Sequence, residues 1–138
     1  MDSPVDKPLG YLLNRVAGKL RTEVATTLLD PLELTLPGYV CMRALSLAPG
    51  SSSAELAREA NVSPQAMNKV IHALQRRGLV TRPASVPSGR SLPATLTREG
   101  TTMLARLDPK VAEAEDRVLA ALSEQDRRTL RQLLAAVD

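Results

Sequence analysis

Residues 52–78 constrain the fold more than any other stretch, because they are punctuated by residues with strict local geometry. Ser52-Ser53-Ala54-Glu55 fits a capping box, with Ser52 as N-cap and Glu55 reaching back to its backbone. A short helix to about Ala60 is expected, then a tight turn through Asn61-Val62-Ser63. Ser63 caps a second helix whose first position is Pro64, where the missing N–H costs nothing. That helix runs to Arg77, and Gly78 closes it in a left-handed conformation. Leu79 to Arg82 reads as a short strand, Pro83 to Ser91 as a polar loop, and Leu92 to Leu96 as a returning strand that Pro93 restricts to an edge or bulge. The order is short helix, turn, longer helix, glycine stop, hairpin. It is a helix-turn-helix followed by a wing.

The longer helix has two faces. Met67, Val70, Ile71 and Leu74 form one. Gln65, Asn68, Lys69, His72 and Arg76 share the other. Gln and Asn can bond bidentately to adenine, and Lys to guanine or phosphate, so this face suits the DNA major groove. Charge agrees. Residues 61–98 hold Lys69, Arg76, Arg77, Arg82, Arg90 and Arg98 and no acid, whereas residues 99–138 hold six basic and eight acidic residues. A basic block within a chain of net charge +3 points to a polyanion.

Long helices flank this unit. Residues 8–30 carry Leu9, Leu12, Leu13, Val16, Leu20, Val24 and Leu28 at helical spacing, with Pro31 as a stop. A second helix is expected over about 37–47, ended by Pro49-Gly50. Thr97 caps a helix bearing Leu104, Leu107, Val111, Val118 and Leu122, in which Pro109 predicts a kink. Ser123 to Asp126 resembles a second capping box, and the last helix carries Leu130, Leu133, Leu134 and Val137. With no Trp or Phe and only two Tyr, the core must be aliphatic. The expected class is mainly α with a small hairpin wing: one domain over 1–138, with a DNA-binding lobe at about 31–100 and a helical dimerisation region at about 8–30 and 101–138. Apolar stripes on both terminal segments exceed what one small lobe can bury, so a homodimer is expected.

The segment AELAREANVSPQAMNKVIHALQRRGLV, the closing LTREG and the opening PLGYLLNRVAGKL resemble the multiple-antibiotic-resistance regulator (MarR) family. The resemblance implies a dimer of winged lobes clamped by the first and last helices. It also implies transcriptional repression at a near-palindromic operator, relieved by a small aromatic or phenolic ligand. The family's wing carries Asp-x-Arg before its Leu-Thr pair. Here Ser88 stands at the Asp position and Arg90 at the Arg position, where a minor-groove contact is expected. The expected DNA-binding set is Ser63, Pro64, Gln65, Asn68, Lys69, His72, Arg76, Arg77 and Arg90. By analogy, the ligand candidates are Leu12, Arg15, Val16, Lys19, Tyr39, Met42 and Arg43, with Arg15 and Lys19 offering cations to a carboxylate.

Other chemistries find less support. A lone His72 lacks ligand-spaced partners, so no metal is expected. No cofactor and no catalytic constellation is expected either. Cys41 admits a redox-sensing alternative, although a free cysteine on an apolar helix is usually a buried hydrophobe. A winged-helix module that binds protein instead of DNA is the other alternative. No apolar run reaches the ~20 residues of a membrane span, so a cytoplasmic protein without a membrane partner is expected.

Overall fold

The computed structural model describes residues 3–83 and 93–138. Six α-helices and a two-stranded hairpin follow in the order α1 (Leu9–Val24), α2 (Leu36–Leu47), α3 (Ser53–Ala60), α4 (Pro64–Arg76), β1 (Val80–Thr81), β2 (Thr95–Leu96), α5 (Arg98–Val118) and α6 (Glu124–Val137).

The capping predictions for α3 and α4 are met atom by atom, and at α6 Ser123 Oγ accepts from Asp126 N at 3.1 Å, half of the expected box. Ser52 Oγ accepts from Glu55 N at 3.1 Å, and the Glu55 carboxylate accepts in return from Ser52 N. Ser63 Oγ accepts from Ala66 N at 3.1 Å with Pro64 in the first turn. Gly78 sits at φ +73°, a conformation that favours glycine. Each such cap is worth about 1 kcal/mol. Thr97 Oγ1 accepts from Gly100 N, and its own hydroxyl donates to Gly78 O at 2.6 Å. One threonine therefore joins the stop of α4 to the start of α5. Gly100 is required there because a Cβ would collide with the Leu79 carbonyl.

Two expectations change. The first helix keeps α geometry only to Val24, and Ala25–Leu29 form a wider π turn before a short 3-10 turn at Asp30–Leu32. Thr26 and Thr27 donate their hydroxyls to the carbonyls of Thr22 and Glu23, the back-bonding that loosens a helix. The strands are two residues each, paired antiparallel as Val80↔Leu96 and Thr81↔Thr95. Helix α5 includes Pro109 in one continuous span.

The core joins α2, α3 and α4 to α5 and to the turn after α1. Leu29, Cys41, Met42, Leu45, Leu56, Met67, Ile71 and Leu107 are its fully buried side chains, drawn from α2, α3, α4, α5 and the turn after α1. Helix α3 packs on α2 and α4, and α1 packs along α5. By contrast α1 buries only Val24, and α6 buries no residue.

Candidate nucleic-acid interface

Helix α4 is oriented by burying Met67, Ile71 and Leu74 against α2 and α3. The opposite face is thereby forced outward. Gln65, Asn68, Lys69, His72 and Arg76 are all exposed, as are Ser63 and Pro64 at its start.

The ion pairs recorded for the molecule lie away from this face. Five salt bridges occur among the described residues: Arg43–Asp108, Arg117–Glu23, Arg127–Asp116, Arg128–Glu124 and Arg131–Glu115. All use α1, α2, α5 and α6. Lys69 and Arg76 have no carboxylate partner among the described residues, so their charge is directed to solvent. Unpaired cations beside exposed amides are suited to an anionic, hydrogen-bonding surface.

Two arginines of the basic block have structural contacts that the sequence did not reveal. Arg77 was expected at the interface, but its guanidinium turns back to the linker after α1. It donates to the carbonyls of Glu33 at 2.8 Å and Leu32 at 2.9 Å. Glu33 is left-handed at φ 54°, so Arg77 pins a strained turn. Arg82 follows β1 and donates from Nη2 to Ser53 Oγ at 3.1 Å and Asn68 Oδ1 at 3.4 Å. Neither contact follows a helical or strand period, so no spacing signal announces it. Arg90 and Ser88 lie outside the described residues.

This geometry is that of known proteins. A model of the MarR family matches residues 33–91. The HTH-type transcriptional repressor Rv2887 of Mycobacterium tuberculosis is 55% identical over 129 residues, which cover 94% of this chain and 92% of that protein. The chain belongs to the MarR family. Two solved structures of Mycobacterium tuberculosis Rv2887 resemble this MarR-family fold closely. Its complex with salicylic acid has TM-score 0.83 at 53% identity, covering 96% of this chain and 98% of that one. Its complex with DNA has TM-score 0.79 at 48% identity, with coverages of 96% and 98%.

The seven ligand candidates do not converge within one MarR-family chain. Leu12 and Val16 line an apolar cleft of about 460 Å³ between α1 and α6, with Leu9, Leu13, Leu130 and Leu134. Lys19 borders a separate depression with Glu23 and Val118. Tyr39 and Arg43 flank a third, of about 260 Å³, against α3. Met42 was expected to face a cleft and instead is fully buried in the core. Arg43 is committed to Asp108 and to the Tyr39 hydroxyl; burial works against its charge, and these two partners more than offset it, raising its pKa. Arg15 stays exposed, its Nη1 donating to Tyr11 Oη at 3.1 Å and its guanidinium 5.8 Å from the ring centroid.

Cys41 does not suit redox sensing. It is fully buried, and burial pushes its thiol up to about 11, with the Arg82 charge offsetting part of the rise. Almost no thiolate forms near neutral pH, and the thiolate is the reactive species. Among the described residues no helix is long and apolar enough to cross a membrane, and no cluster of His, Cys, Asp and Glu could hold a metal ion.

Proposed function

We propose that the chain is a transcriptional repressor that binds duplex DNA as a homodimer, through α4 and the wing, and leaves it when a small aromatic acid binds. The observation carrying this reading is the exposed α4 face, with Gln65, Asn68, Lys69, His72 and Arg76 free of carboxylate partners among the described residues. The complexes of Rv2887 with DNA and with salicylic acid support the same partners.

The lobe at about 31–100 carries the DNA contacts, and the helices at about 8–30 and 101–138 carry the dimer. The recognition helices of two protomers enter successive major grooves about one turn, or ~34 Å, apart. Asn68 and Gln65 read base edges. Lys69 and Arg76 neutralise phosphate, and Ser63 and Pro64 bring the start of α4 against the backbone. Arg90 takes the flanking minor groove. Arg77 holds the turn after α1 against the end of α4.

The acid binds between the first helix and the lobe, its carboxylate on Arg15, a cation that among the described residues meets Tyr11 and no carboxylate. Because Arg15 does not share a cavity with Tyr39 and Arg43 in one chain, the dimer completes the site. The ligand acts by preferring a lobe spacing that no longer matches one helical turn. A hundredfold loss of operator affinity requires about 2.7 kcal/mol of coupling.

Fluorescence anisotropy with a duplex selected from genomic fragments tests this reading. Salicylate should release the wild-type protein, while Arg15→Ala should bind DNA normally and resist release. Absence of any sequence-preferring complex would refute repression, and equal release of both proteins would refute Arg15 as the anchor.

A further inference from the structure

Arg82 stands outside the recognition helix yet touches it. It is half-buried at the root of the wing. One nitrogen, Nη2, reaches Ser53 Oγ on α3 at 3.1 Å and Asn68 Oδ1 on α4 at 3.4 Å. Ser53 is itself buried, in the first turn of α3. The guanidinium also lies close enough to α2 for its charge to act on the Cys41 thiol. Its Nε is buried and has no hydrogen-bond partner among the described residues. An unsatisfied buried donor is costly and rare, so the group is held at this place by its remaining contacts despite a local penalty.

We infer that Arg82 is a positioning residue for base readout, fixing which end of the Asn68 amide faces DNA. The inference rests on the reading of α4 as the helix that reads DNA. A guanidinium has only donors, so the amide atom turned toward it must be the oxygen. The Asn68 amide nitrogen is thereby directed away from the wing root, on the exposed side of α4. Oδ1 keeps a second lone pair. The side chain then offers a donor and an acceptor in a fixed order, which fits N7 and the N6 amine of adenine. An amide without this restraint can turn over and present the opposite order, which widens the set of base pairs it satisfies.

The experiment is selection from a pool of randomised DNA duplexes, sequenced for the wild type, Asn68→Ala, Arg82→Met, Arg82→Lys and the double variant Asn68→Ala/Arg82→Met. Asn68→Ala should lower discrimination about tenfold at one base pair of each half-site. Arg82→Met should lower it roughly fivefold at that same pair and leave other positions unchanged. Arg82→Lys, which keeps a donor but loses the planar fork, should fall between wild type and Arg82→Met. The double variant should be no worse than Asn68→Ala there, because the two side chains act as one unit.

Should Arg82→Met not fold, Ser53→Ala removes the other anchor of the guanidinium and must relax preference at the same pair. Uniform weakening on all sequences by Arg82→Met would overturn the inference, as would losses that multiply in the double variant. If Asn68→Ala alters no base preference, the readout role of Asn68 falls and this inference with it. If Asn68→Ala alters one and Arg82→Met does not, only the role of Arg82 falls.

Discussion

The lobe and the terminal helices are built from similar aliphatic residues and end in opposite states. Around the lobe, α2, α3, α4 and the hairpin, joined by the first half of α5, enclose Met42, Leu45, Leu56, Met67, Ile71 and Leu107 completely. On the terminal helices the same kinds of side chain face solvent: Leu9 is 71% exposed, Leu133 62%, Leu134 47% and Val137 87%. The ion pairing is uneven too. The three arginines of α6 and Arg117 of α5 are spent on carboxylates, Arg117 on Glu23 and Arg131 on Glu115 among them. The lobe leaves Lys69 and Arg76 without such partners among the described residues. Apolar surface without a core and cations without acids are each incomplete in one chain. Together they indicate two different partners, a second copy of the chain at the terminal helices and a polyanion at α4.

The largest expected effect tests the charge half of this contrast. With about 6–10 phosphate contacts per dimer, affinity for the selected duplex should fall by roughly 10³–10⁵ between 50 and 200 mM salt. Anisotropy titrations across that range measure the slope, and a nearly flat line would remove phosphate from the interface.

The next effect sharpens the apolar half. Leu107→Ala empties a fully buried site and should cost about 2–5 kcal/mol in urea unfolding. Leu133→Ala, on an exposed side chain, should change unfolding of the isolated chain by less than about 0.5 kcal/mol and weaken only self-association. Equal costs would mean that α6 belongs to the lobe's core.

A smaller effect concerns Cys41. Its thiol is near 9 when unfolded and about 11 when folded, so the folded state holds its proton more tightly. Stability from this group is complete below pH 9 and declines as pH rises toward 11. Cys41→Ala should therefore flatten the alkaline part of the stability curve, and native Cys41 should resist thiol-labelling reagents at neutral pH. Rapid labelling of the folded protein would reopen the redox reading.

What the sequence disclosed was governed by local chemistry. Ser52 with Glu55, Ser63 with Pro64, and Gly78 each act within one turn of chain, so their roles could be read directly. The two faces of α4 were equally legible, because helical periodicity assigns them. Strand length was not, since pairing of Val80 with Leu96 depends on residues far away in sequence. Nor were the roles of Arg77 and Arg82, whose partners lie across the fold at Leu32, Glu33 and Ser53. Met42 and Tyr39 share one apolar helix, and only packing decides that the first is buried and the second half-exposed. The ligand candidates failed to converge because their cavities are set by packing between elements far apart in sequence, which spacing does not report.

The most direct test of the whole contrast is the solution mass and DNA affinity of Leu130→Asp/Leu134→Asp. Both side chains line the cleft between α1 and α6, and neither belongs to the lobe's core. Light scattering coupled to size-exclusion chromatography should give a dimer for the wild type and a monomer for the variant. Circular dichroism should show the helices of the lobe retained, and the variant should lose most of its affinity for the selected duplex. A variant that remains dimeric, or a monomer that binds that duplex as tightly as the wild type, would contradict the account.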